Sequence, residues 1–533
     1  MLDIQELERL AEQEMIANRV PALSLAVASG AEVLYANGFG VTDAETGGSA
    51  VTAETLFRVG SVSKLVTATL IMRLVEQGKL DLDTPIKEYI PWFHLSDPKA
   101  ADRVTMRMLL THRVGFVNNG NYLGSRDPEG LRNYVRDVIS QEKLYSPPGE
   151  LFNYNCHSFD IAGAVAEAVT GTYFADLVQQ QLFQPLGMRS STYDPTVALT
   201  YPLALPHNLT ADGSYQVLHK MPENVAHYPS FYLMTSARDL IRFAQMHLQG
   251  GMLDGTQVLT AESARELHRT QVSLQSTSGY GLGLSFFKVL RKGVWVLTHF
   301  GDIATYSANI YIAPDEGVAA VIMNNRPFPH HKLISPVLDR LLPDRSAQVV
   351  VPETICADRS KWKHYLGAYI GGAAGLVIIE EQGDRLLLTL NGQAHSLLPY
   401  QDQYATFAEN GQVSNLVQFI SNGEHACYHL MLNNVRCNRF AYDPTFQPDP
   451  SWLNAYEGHY AHFEFLGPYR IWLEDGDLMI EELEVGSTMK EKLMPVAPHL
   501  FVGAMAKVVE FQIAEDGTVP SYKAMFGWKM NRV

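Results

Sequence analysis

The sequence predicts an α/β domain followed by two small antiparallel β units. Three observations lead to this class. Strand patterns occur near residue 25 and again between residues 280 and 325, with helical stretches between them, so one sheet should combine both ends of the first domain. After about residue 345 the helical patterns give way to short strands and turns. A tyrosine-containing pattern in this second part of the chain occurs twice.

An amphipathic helix and a β-hairpin open the chain. Leu7, Ala11 and Met15 recur at helical spacing, and the helix ends before Pro21. The segments ALSLAVAS and AEVLYA, joined by a turn at Gly30, predict the hairpin. These elements supply the N-terminal strands of the expected sheet.

A long apolar helix is predicted to begin at Ser61. From about residue 100 to 270, helical stretches such as FDIAGAVAEAVTG and TSARDLIRFAQMHL alternate with Pro- and Gly-rich loops. Strands return with YGLGLSFFKVL, GVWVLTH, YSANIYIA and GVAAVIMNN, and a helix follows to about Leu342. We therefore expect an antiparallel sheet flanked by helices, with an additional all-helical region, over residues 1–345.

The rest of the chain contains an internal repeat. YLGAY at Tyr365 to Tyr369, followed by EEQGDRLLL, is echoed about 91 residues later by YEGHY and LEDGDLMI. Repeats of solenoid proteins are shorter, roughly 20 to 50 residues, so the pattern indicates two copies of one β unit. The proline-rich segment DPTFQPDPSW separates the copies. The sequence thus predicts antiparallel barrels over residues 355–445 and 451–533.

Composition and charge exclude several classes of partner. The 533 residues carry a formal net charge of −16 without a basic cluster, which argues against binding to nucleic acid or an anionic membrane. No apolar run approaches the roughly 18 residues of a membrane helix. The N-terminal segment MLDIQELERLAEQEM is acidic, unlike a secretion signal, so we expect a cytoplasmic protein that starts at Met1. The residues do not fix the oligomeric state, and a homodimer stays open.

The cysteines indicate neither a metal site nor a disulfide framework. No C-x-x-C pair or zinc-ligand spacing is present, so reduced thiols are expected. The four cysteines are Cys156, Cys356, Cys427 and Cys437.

A serine and a lysine three residues apart provide the candidate chemistry. The spacing S-x-x-K starts at Ser61, Ser96, Ser140, Ser285, Ser360 and Ser487. Only Ser61 begins a long apolar helix, on which Lys64 would share its face and reach its hydroxyl. Burial of that helix is expected to favour a neutral Lys64, which could act as a base.

Six segments in order resemble the penicillin-recognising serine hydrolases related to class C β-lactamases. They are TLFRVGSVSKLVTATL, VTMRMLLTHRVGF, SPPGELFNYN, LMTSARDLIRFAQMHLQGG, YGLGLSFF and HFGDIATYSANIYIAPDEGVAAVIMNN. The resemblance covers about residues 5 to 342 and implies a β-lactamase/transpeptidase-like fold. The two β units resemble the paired, lipocalin-like eight-stranded barrels behind the catalytic domain of bacterial D-aminopeptidases.

The resemblance implies roles for individual residues. Ser61 would be the acylated nucleophile, Lys64 its proton-handling partner and Tyr154 the family's tyrosine base. His299 and Gly301 form the chain's only H-x-G, where β-lactamases of this superfamily carry K-T-G. His299 would bind substrate or relay a proton.

The same resemblance implies an oxyanion hole beside this strand. Gly301 would let substrate approach the backbone. The backbone N–H groups of Ser61 and Asp302 would stabilise the oxyanion. The Asp302 carboxylate, unusual at this position, is a candidate partner for a substrate ammonium, although an aspartate that is solvated or caps a turn is the alternative. His112 also matches a family segment, and there the match looks structural.

The sequence departs from the family in the tyrosine motif. In place of Y-x-N it reads Tyr154, Asn155, Cys156. Either Asn155 supplies the amide from one position earlier, or Cys156 occupies the asparagine's place and the amide contact is lost. A thiol is a weak donor and acceptor, so the second alternative would alter substrate positioning or the orientation of Lys64.

The sequence predicts a serine hydrolase that forms an acyl-enzyme and needs no metal or cofactor. Its expected substrates are small molecules or short peptides with amide or peptide bonds, including bonds of D-residues. An esterase or transacylase of the same superfamily is one alternative. A non-catalytic, penicillin-binding-like protein that binds a ligand is the other.

Overall fold

The computed structural model contains two compact units. Among the described residues, the first unit comprises those up to 346 and the second those from 358 onward. The described residues are all except 1, 117–123, 145, 211, 220, 275–279, 327, 347–357, 373, 391, 401–402, 409–412, 421–426, 428, 462–468, 484–489, 504–506 and 525–528. The predicted boundary near residues 345–355, and Cys356 with it, falls largely outside the described residues.

An eight-stranded antiparallel sheet forms the centre of the first unit, in the order β2-β1-β14-β13-β12-β11-β10-β9. The first-unit strands are β1 Ala22–Ser29, β2 Glu32–Gly40, β3 Leu56–Arg58, β4 His207–Leu209, β5 Tyr215–Val217, β6 Met234–Ser236, β7 Met252–Leu253, β8 Thr256–Gln257, β9 Val272–Leu274, β10 Tyr280–Leu282, β11 Phe287–Arg291, β12 Val294–Ile303, β13 Tyr306–Ala313 and β14 Val318–Asn324. The N-terminal hairpin pairs with β14 along its length, from Leu23 opposite Asn324 to Ser29 opposite Val318. One sheet therefore joins both ends of the unit, as predicted.

Helices cover both faces of this sheet. The helices of the first unit are α1 Ile4–Asn18, α2 Ser63–Glu76, α3 Pro98–Ala101, α4 Met106–Leu110, α5 Gly130–Asp137, α6 His157–Thr170, α7 Phe174–Val178, α8 Gln184–Leu186, α9 Pro195–Ala198, α10 Ala237–Leu248, α11 Ala261–His268 and α12 His331–Leu341. The second unit contains α13 Trp362–Tyr365 and α14 Pro450–Tyr456. Alternate side chains of each strand face opposite sides. Leu25 thus packs in one cluster with residues of α1 and α12, whereas Ala26 packs in another with residues of α2 and α10.

Helix α2 lies in the interior of the larger cluster. Eleven of its residues, from Ser63 to Leu74, are buried. Contacts with α6 and α11 enclose it, so its polar side chains need partners inside the protein. Among the described residues no single helix has the length and hydropathy of a membrane span. The helical segments α6 and Phe174–Leu186 together have that length and hydropathy, but the chain bends by 79° between them.

The second unit contains two antiparallel β structures. The strands β15 to β22 form a closed eight-stranded barrel, and β23 to β31 form a nine-stranded sheet. The strands are β15 Gly367–Gly371, β16 Gly375–Gln382, β17 Arg385–Leu390, β18 Gln393–Tyr400, β19 Gln403–Phe407, β20 Val413–Ile420, β21 His429–Leu432, β22 Val435–Phe440, β23 Gly458–Ala461, β24 Tyr469–Glu474, β25 Asp477–Glu482, β26 Lys490–Lys492, β27 Met494–Ala497, β28 Leu500–Gly503, β29 Lys507–Gln512, β30 Ser521–Lys523 and β31 Lys529–Arg532. The predicted fold class is confirmed, with one correction.

The second barrel has nine strands rather than eight and is nearly closed. Its two edge strands, β26 and β27, are separated in the chain only by Leu493, and no pairing between them occurs among the described residues. A break at this point divides one long strand of the expected barrel into two short ones. A short edge strand limits the unpaired backbone that the protein exposes.

The internal repeat corresponds to a shared clasp at the start of each barrel. The hydroxyl of Tyr369 donates to the carbonyl of Tyr365 at 2.6 Å, and that of Tyr460 donates to Tyr456 at 2.8 Å. An arginine of the last strand closes each copy: Arg439 donates to Leu366 O and Arg532 to Glu457 O. The tyrosines of the repeat therefore have a structural role.

Candidate active site

Ser61 lies in a short 3₁₀ turn, Gly60–Val62, directly before α2. Its side chain is 6% exposed. The turn fits closely against β12, where a Cβ on Gly301 would lie 2.7 Å from Ser61 N. Gly60, with φ +50°, faces Asp302, because a Cβ there would lie 2.6 Å from Asp302 O. Two glycines thus allow the backbones of the turn and the strand to meet.

Lys64 is buried beside this serine. Its Nζ donates to Ser61 Oγ at 3.0 Å and to the carbonyl of Ser230 at 2.9 Å, and the Cys156 sulfur lies 3.5 Å away. An ammonium group has three donors, and these three acceptors use all of them. The predicted Ser61–Lys64 pair therefore occurs, on one face at the start of α2.

Tyr154 approaches the same pair from a distant loop. The centre of its ring lies 4.9 Å from Lys64 Nζ. Burial raises the pKa of its phenol, and the charge of Lys64 opposes this rise. The three side chains thus meet in one cluster, although Tyr154 lies 93 residues after Ser61 in the sequence.

The two residues after Tyr154 have different functions. Asn155 Nδ2 donates to Asn153 O at 2.7 Å, and Asn155 Oδ1 accepts from the backbone of Ser158 at 2.8 Å, at the start of α6. Its amide is therefore occupied in capping. Cys156, by contrast, lies against Lys64. Of the two sequence alternatives, the second holds in the structure: a thiol occupies the place of the motif asparagine.

The charge state of Lys64, expected to be neutral on burial, depends also on the groups around its amine. Burial alone would lower the pKa of Lys64, but its attraction to Cys156 and Tyr154 outweighs burial and leaves the pKa raised. Burial raises the pKa of the Tyr154 phenol and of the Cys156 thiol, although Lys64 opposes both shifts. The amine, the phenol and the thiol therefore titrate as one coupled set, in which the charge of each group depends on that of the others.

His299 lies on β12, on the side of Tyr154. Its ring centre is 6.1 Å from that of Tyr154 and 5.4 Å from that of Phe287. Its Nδ1 lies 2.7 Å from the Phe300 carbonyl, so Nδ1 carries the proton and donates. Burial and the charge of Lys64 lower the pKa of His299 to about 3. At neutral pH His299 is therefore uncharged.

His112 supports the tyrosine. Its ring packs on that of Tyr154, with centres 4.5 Å apart, and its Nδ1 accepts from Asn155 N at 3.2 Å. Burial and the charge of Lys64 hold the pKa of His112 well below its usual value. This arrangement agrees with the structural interpretation of His112.

The side chain of Asp302 lies on the opposite face of β12 from those positions that carry His299 and Gly301. Neighbouring side chains of a strand point to opposite faces. Because a Cβ on Gly301 would face Ser61, the Asp302 side chain is directed to the other side, where it interacts with Ser307. The backbone of Asp302 lies at the Ser61 turn, but its carboxylate does not point toward the nucleophile. The hypothesis that this carboxylate binds a substrate ammonium stays a prediction, and the carboxylate would have to do so from the face of β12 opposite Ser61.

Three polar residues of the site were not predicted. They are Asp160, His227 and Ser230. Asp160 had a recognisable signal, since it is the only charged residue in the apolar first half of FDIAGAVAEAVTG. Ser230 contributes its backbone carbonyl, which no side-chain motif can reveal.

Comparisons with known proteins concern the family and the fold of the chain. The family model described as Beta-lactamase matches residues 7–339. Penicillin-binding protein 4 of Amycolatopsis lactamdurans is 31% identical over 317 residues, which are 58% of this chain and 81% of that protein.

Two solved structures share the fold over most of the chain. SurE in complex with D-Leu has a TM-score of 0.60 at 22% identity, over 82% of this chain and 99% of that one. An octameric penicillin-binding protein homologue from Pyrococcus abyssi has a TM-score of 0.56 at 21% identity, over 82% and 100%. At these identities the likeness concerns the fold. The family model covers more than half of the sequence, and the chain belongs to the beta-lactamase family.

Proposed function

We propose that this protein is a serine hydrolase that cleaves amide or peptide bonds through an acyl-enzyme on Ser61. The distance of 3.0 Å between Lys64 Nζ and Ser61 Oγ, with the ring of Tyr154 centred 4.9 Å from the same Nζ, carries the proposal. A serine hydroxyl is a poor nucleophile unless a neighbouring group removes its proton. Lys64 and Tyr154 are the groups in position to do so.

The reactive form of the site has lost one proton from the Lys64–Tyr154 pair. In that form Ser61 Oγ bonds to the substrate carbonyl carbon, and its hydroxyl proton passes to the pair. The pair then protonates the leaving nitrogen as the C–N bond breaks. Water attacks the resulting ester, its proton returns through the pair, and Ser61 is released. The N–H groups of Ser61 and Asp302 are the proposed donors to the oxyanion.

The charge of the site favours peptide-like substrates over β-lactams that bind through a carboxylate. Where the K-T-G lysine of β-lactamases would place a cation, His299 is uncharged at neutral pH. A substrate carboxylate therefore gains no ion pair at this position. SurE, which shares the fold, has been solved with D-Leu, and this supports D-aminoacyl or D-peptide substrates as the first class to test.

A substrate panel tests the proposal. We expect turnover of D-aminoacyl nitroanilides or short D-residue peptides to exceed that of matched L-compounds and of penicillin. Ser61→Ala should abolish it. Preference for nitrophenyl esters, with no amide cleavage, would indicate an esterase or transacylase instead. Turnover that persists in Ser61→Ala would refute the mechanism.

A further inference from the structure

A chain of buried hydrogen bonds continues from Lys64 into the helical region. Lys64 Nζ donates to the carbonyl of Ser230 at 2.9 Å. The hydroxyl of the same Ser230 donates to Asp160 Oδ1 at 2.6 Å. Asp160 Oδ2 lies 2.8 Å from His227 Nδ1. The side chains of Asp160 and His227 are at most 3% exposed.

The polarity of this chain follows from Asp160. An ionised carboxylate accepts hydrogen bonds only, so Ser230 Oγ and His227 Nδ1 are both donors. Each carboxylate oxygen has one partner, and the two partners lie three residues apart on the segment that carries the Ser230 carbonyl. Asp160 thereby anchors this segment against α6.

A buried carboxylate also needs compensation of its charge. Removing an ion from water is costly unless an opposite charge or several donors replace the solvent. Asp160 attracts Lys64, and this attraction favours the charged form of the amine. The two charges lie on either side of Ser230, whose carbonyl contacts one and whose hydroxyl contacts the other.

We propose that Asp160 is the buried counter-ion and positioning residue of Lys64: it holds the Ser230 carbonyl against the amine and stabilises the charge there. The inference rests on the proposed function, in which Lys64 handles the Ser61 proton. It also accounts for Cys156. A thiol accepts hydrogen bonds weakly, so the amine depends on the Ser230 carbonyl and on the charge behind it.

Several titratable groups surround the two charges, and they set the conditions of the test. Around Lys64 and Asp160 these groups are Tyr154, Cys156, His112, His299, His157, His227 and Tyr232. Burial lowers the pKa of His112, His157 and His299. Above neutral pH these three histidines stay uncharged, so a shift measured there reports the coupled lysine, phenol and thiol.

The variant Asp160→Asn removes the charge and keeps the shape. Its amide oxygen can still accept from Ser230. Loss of a nearby opposite charge should lower the pKa of Lys64 by about one unit. The rate at which a fluorophosphonate labels Ser61 is expected to rise with pH. In Asp160→Asn this pH profile should move to lower pH by the same amount.

A control on the same helix separates this effect from the loss of a partly buried carboxylate elsewhere on α6. Glu167 lies on the same helix and accepts from the backbone of Phe174, away from Lys64. Glu167→Gln should leave the pH dependence of Ser61 labelling unchanged. A profile of Asp160→Asn that coincides with that of the wild type would overturn the proposal.

A direct titration of Lys64 keeps this test independent of the proposed function. In full-length protein labelled with ¹³C at lysine Cε, the Lys64 signal is identified by its loss in Lys64→Arg. Its midpoint should fall in Asp160→Asn and not in Glu167→Gln, whether or not Ser61 reacts. An unchanged Lys64 midpoint in Asp160→Asn contradicts the counter-ion role of Asp160. Absence of Ser61 labelling in the wild type contradicts the proposed hydrolase function.

A second variant covers the case in which Asp160→Asn does not fold, as circular dichroism would show. Ser230→Ala keeps both charges and removes the hydroxyl that links Asp160 to the carbonyl. We expect labelling of Ser61 to slow several-fold at every pH without a shift of the profile. Labelling at the wild-type rate would contradict the positioning role.

Discussion

The Lys64 amine lies 3.0 Å from the Ser61 hydroxyl inside the protein, at the start of helix α2. Both side chains are shielded from solvent, with Lys64 fully buried and Ser61 6% exposed. Three acceptors surround Nζ, and these contacts favour the charged form of the amine against the opposing effect of burial. The chemistry of the site therefore depends on how this proton is released.

The pH dependence of acylation should be alkaline. The pKa values of Lys64 and Tyr154 are both raised, so the pair carries both protons at neutral pH. The fraction that lacks one proton grows about tenfold per pH unit below the apparent pKa of the coupled pair. We expect the rate of Ser61 labelling to rise continuously between pH 6 and 9. Tryptophan fluorescence over the same range checks that the fold is intact, and a flat profile would contradict this protonation state.

Replacement of Cys156 by asparagine should accelerate acylation. An amide oxygen accepts from a charged donor more strongly than a thiol, and so orients the Lys64 amine better. We expect about a tenfold increase in the rate of Ser61 acylation, of the size that about 1.4 kcal/mol would give. Cys156→Ala is the control, since it removes the sulfur without adding an acceptor. Equal rates in the two variants would show that this position does not orient the lysine.

Asn155 should matter for stability rather than for chemistry. Asn155→Ala removes the acceptor for Ser158 N and the donor to Asn153 O. Loss of such a cap costs about 1 kcal/mol. We expect a melting temperature lower by a few degrees, with Ser61 labelling within a few-fold of the wild type. If labelling falls as far as in a Lys64 variant, Asn155 belongs to the chemistry after all.

Gly301 should be intolerant of a side chain. A Cβ there would lie 2.7 Å from Ser61 N, so the turn and β12 would have to separate. Gly301→Ala should reduce Ser61 labelling by at least about a hundredfold, a typical result of losing one oxyanion donor. The control is Gly281→Ala on β10, where the first contact of the Cβ is the movable side chain of Thr270. If Gly301→Ala is labelled as fast as the control, the close contact between the Ser61 turn and β12 is excluded.

Local spacing predicted part of the site well. Ser61 and Lys64 are one helical turn apart, so their proximity follows from the helix. The segments ALSLAVAS and AEVLYA likewise predicted the N-terminal hairpin, which the structure contains as β1 and β2. Such features depend on neighbours in the chain, which a sequence displays directly.

Features that depend on distant segments could not be predicted. The choice between Asn155 and Cys156 depends on where α6 begins relative to the tyrosine loop. The charge of Lys64 depends on the Ser230 carbonyl, 166 residues away, and on Asp160 behind it. The pleat that turns Asp302 away from Ser61 depends on the register of β12 against the 3₁₀ turn. None of these relations has a signature in the residue types alone.

The most direct test of the account is covalent labelling of Ser61. Intact full-length protein is treated with a fluorophosphonate, and the modified peptide is sequenced by tandem mass spectrometry. We predict one adduct, on Ser61, that Ser61→Ala abolishes and that Lys64→Met slows by about 10²- to 10⁴-fold. An adduct on another residue, or labelling of Ser61 at an unchanged rate without Lys64, would contradict the central claim.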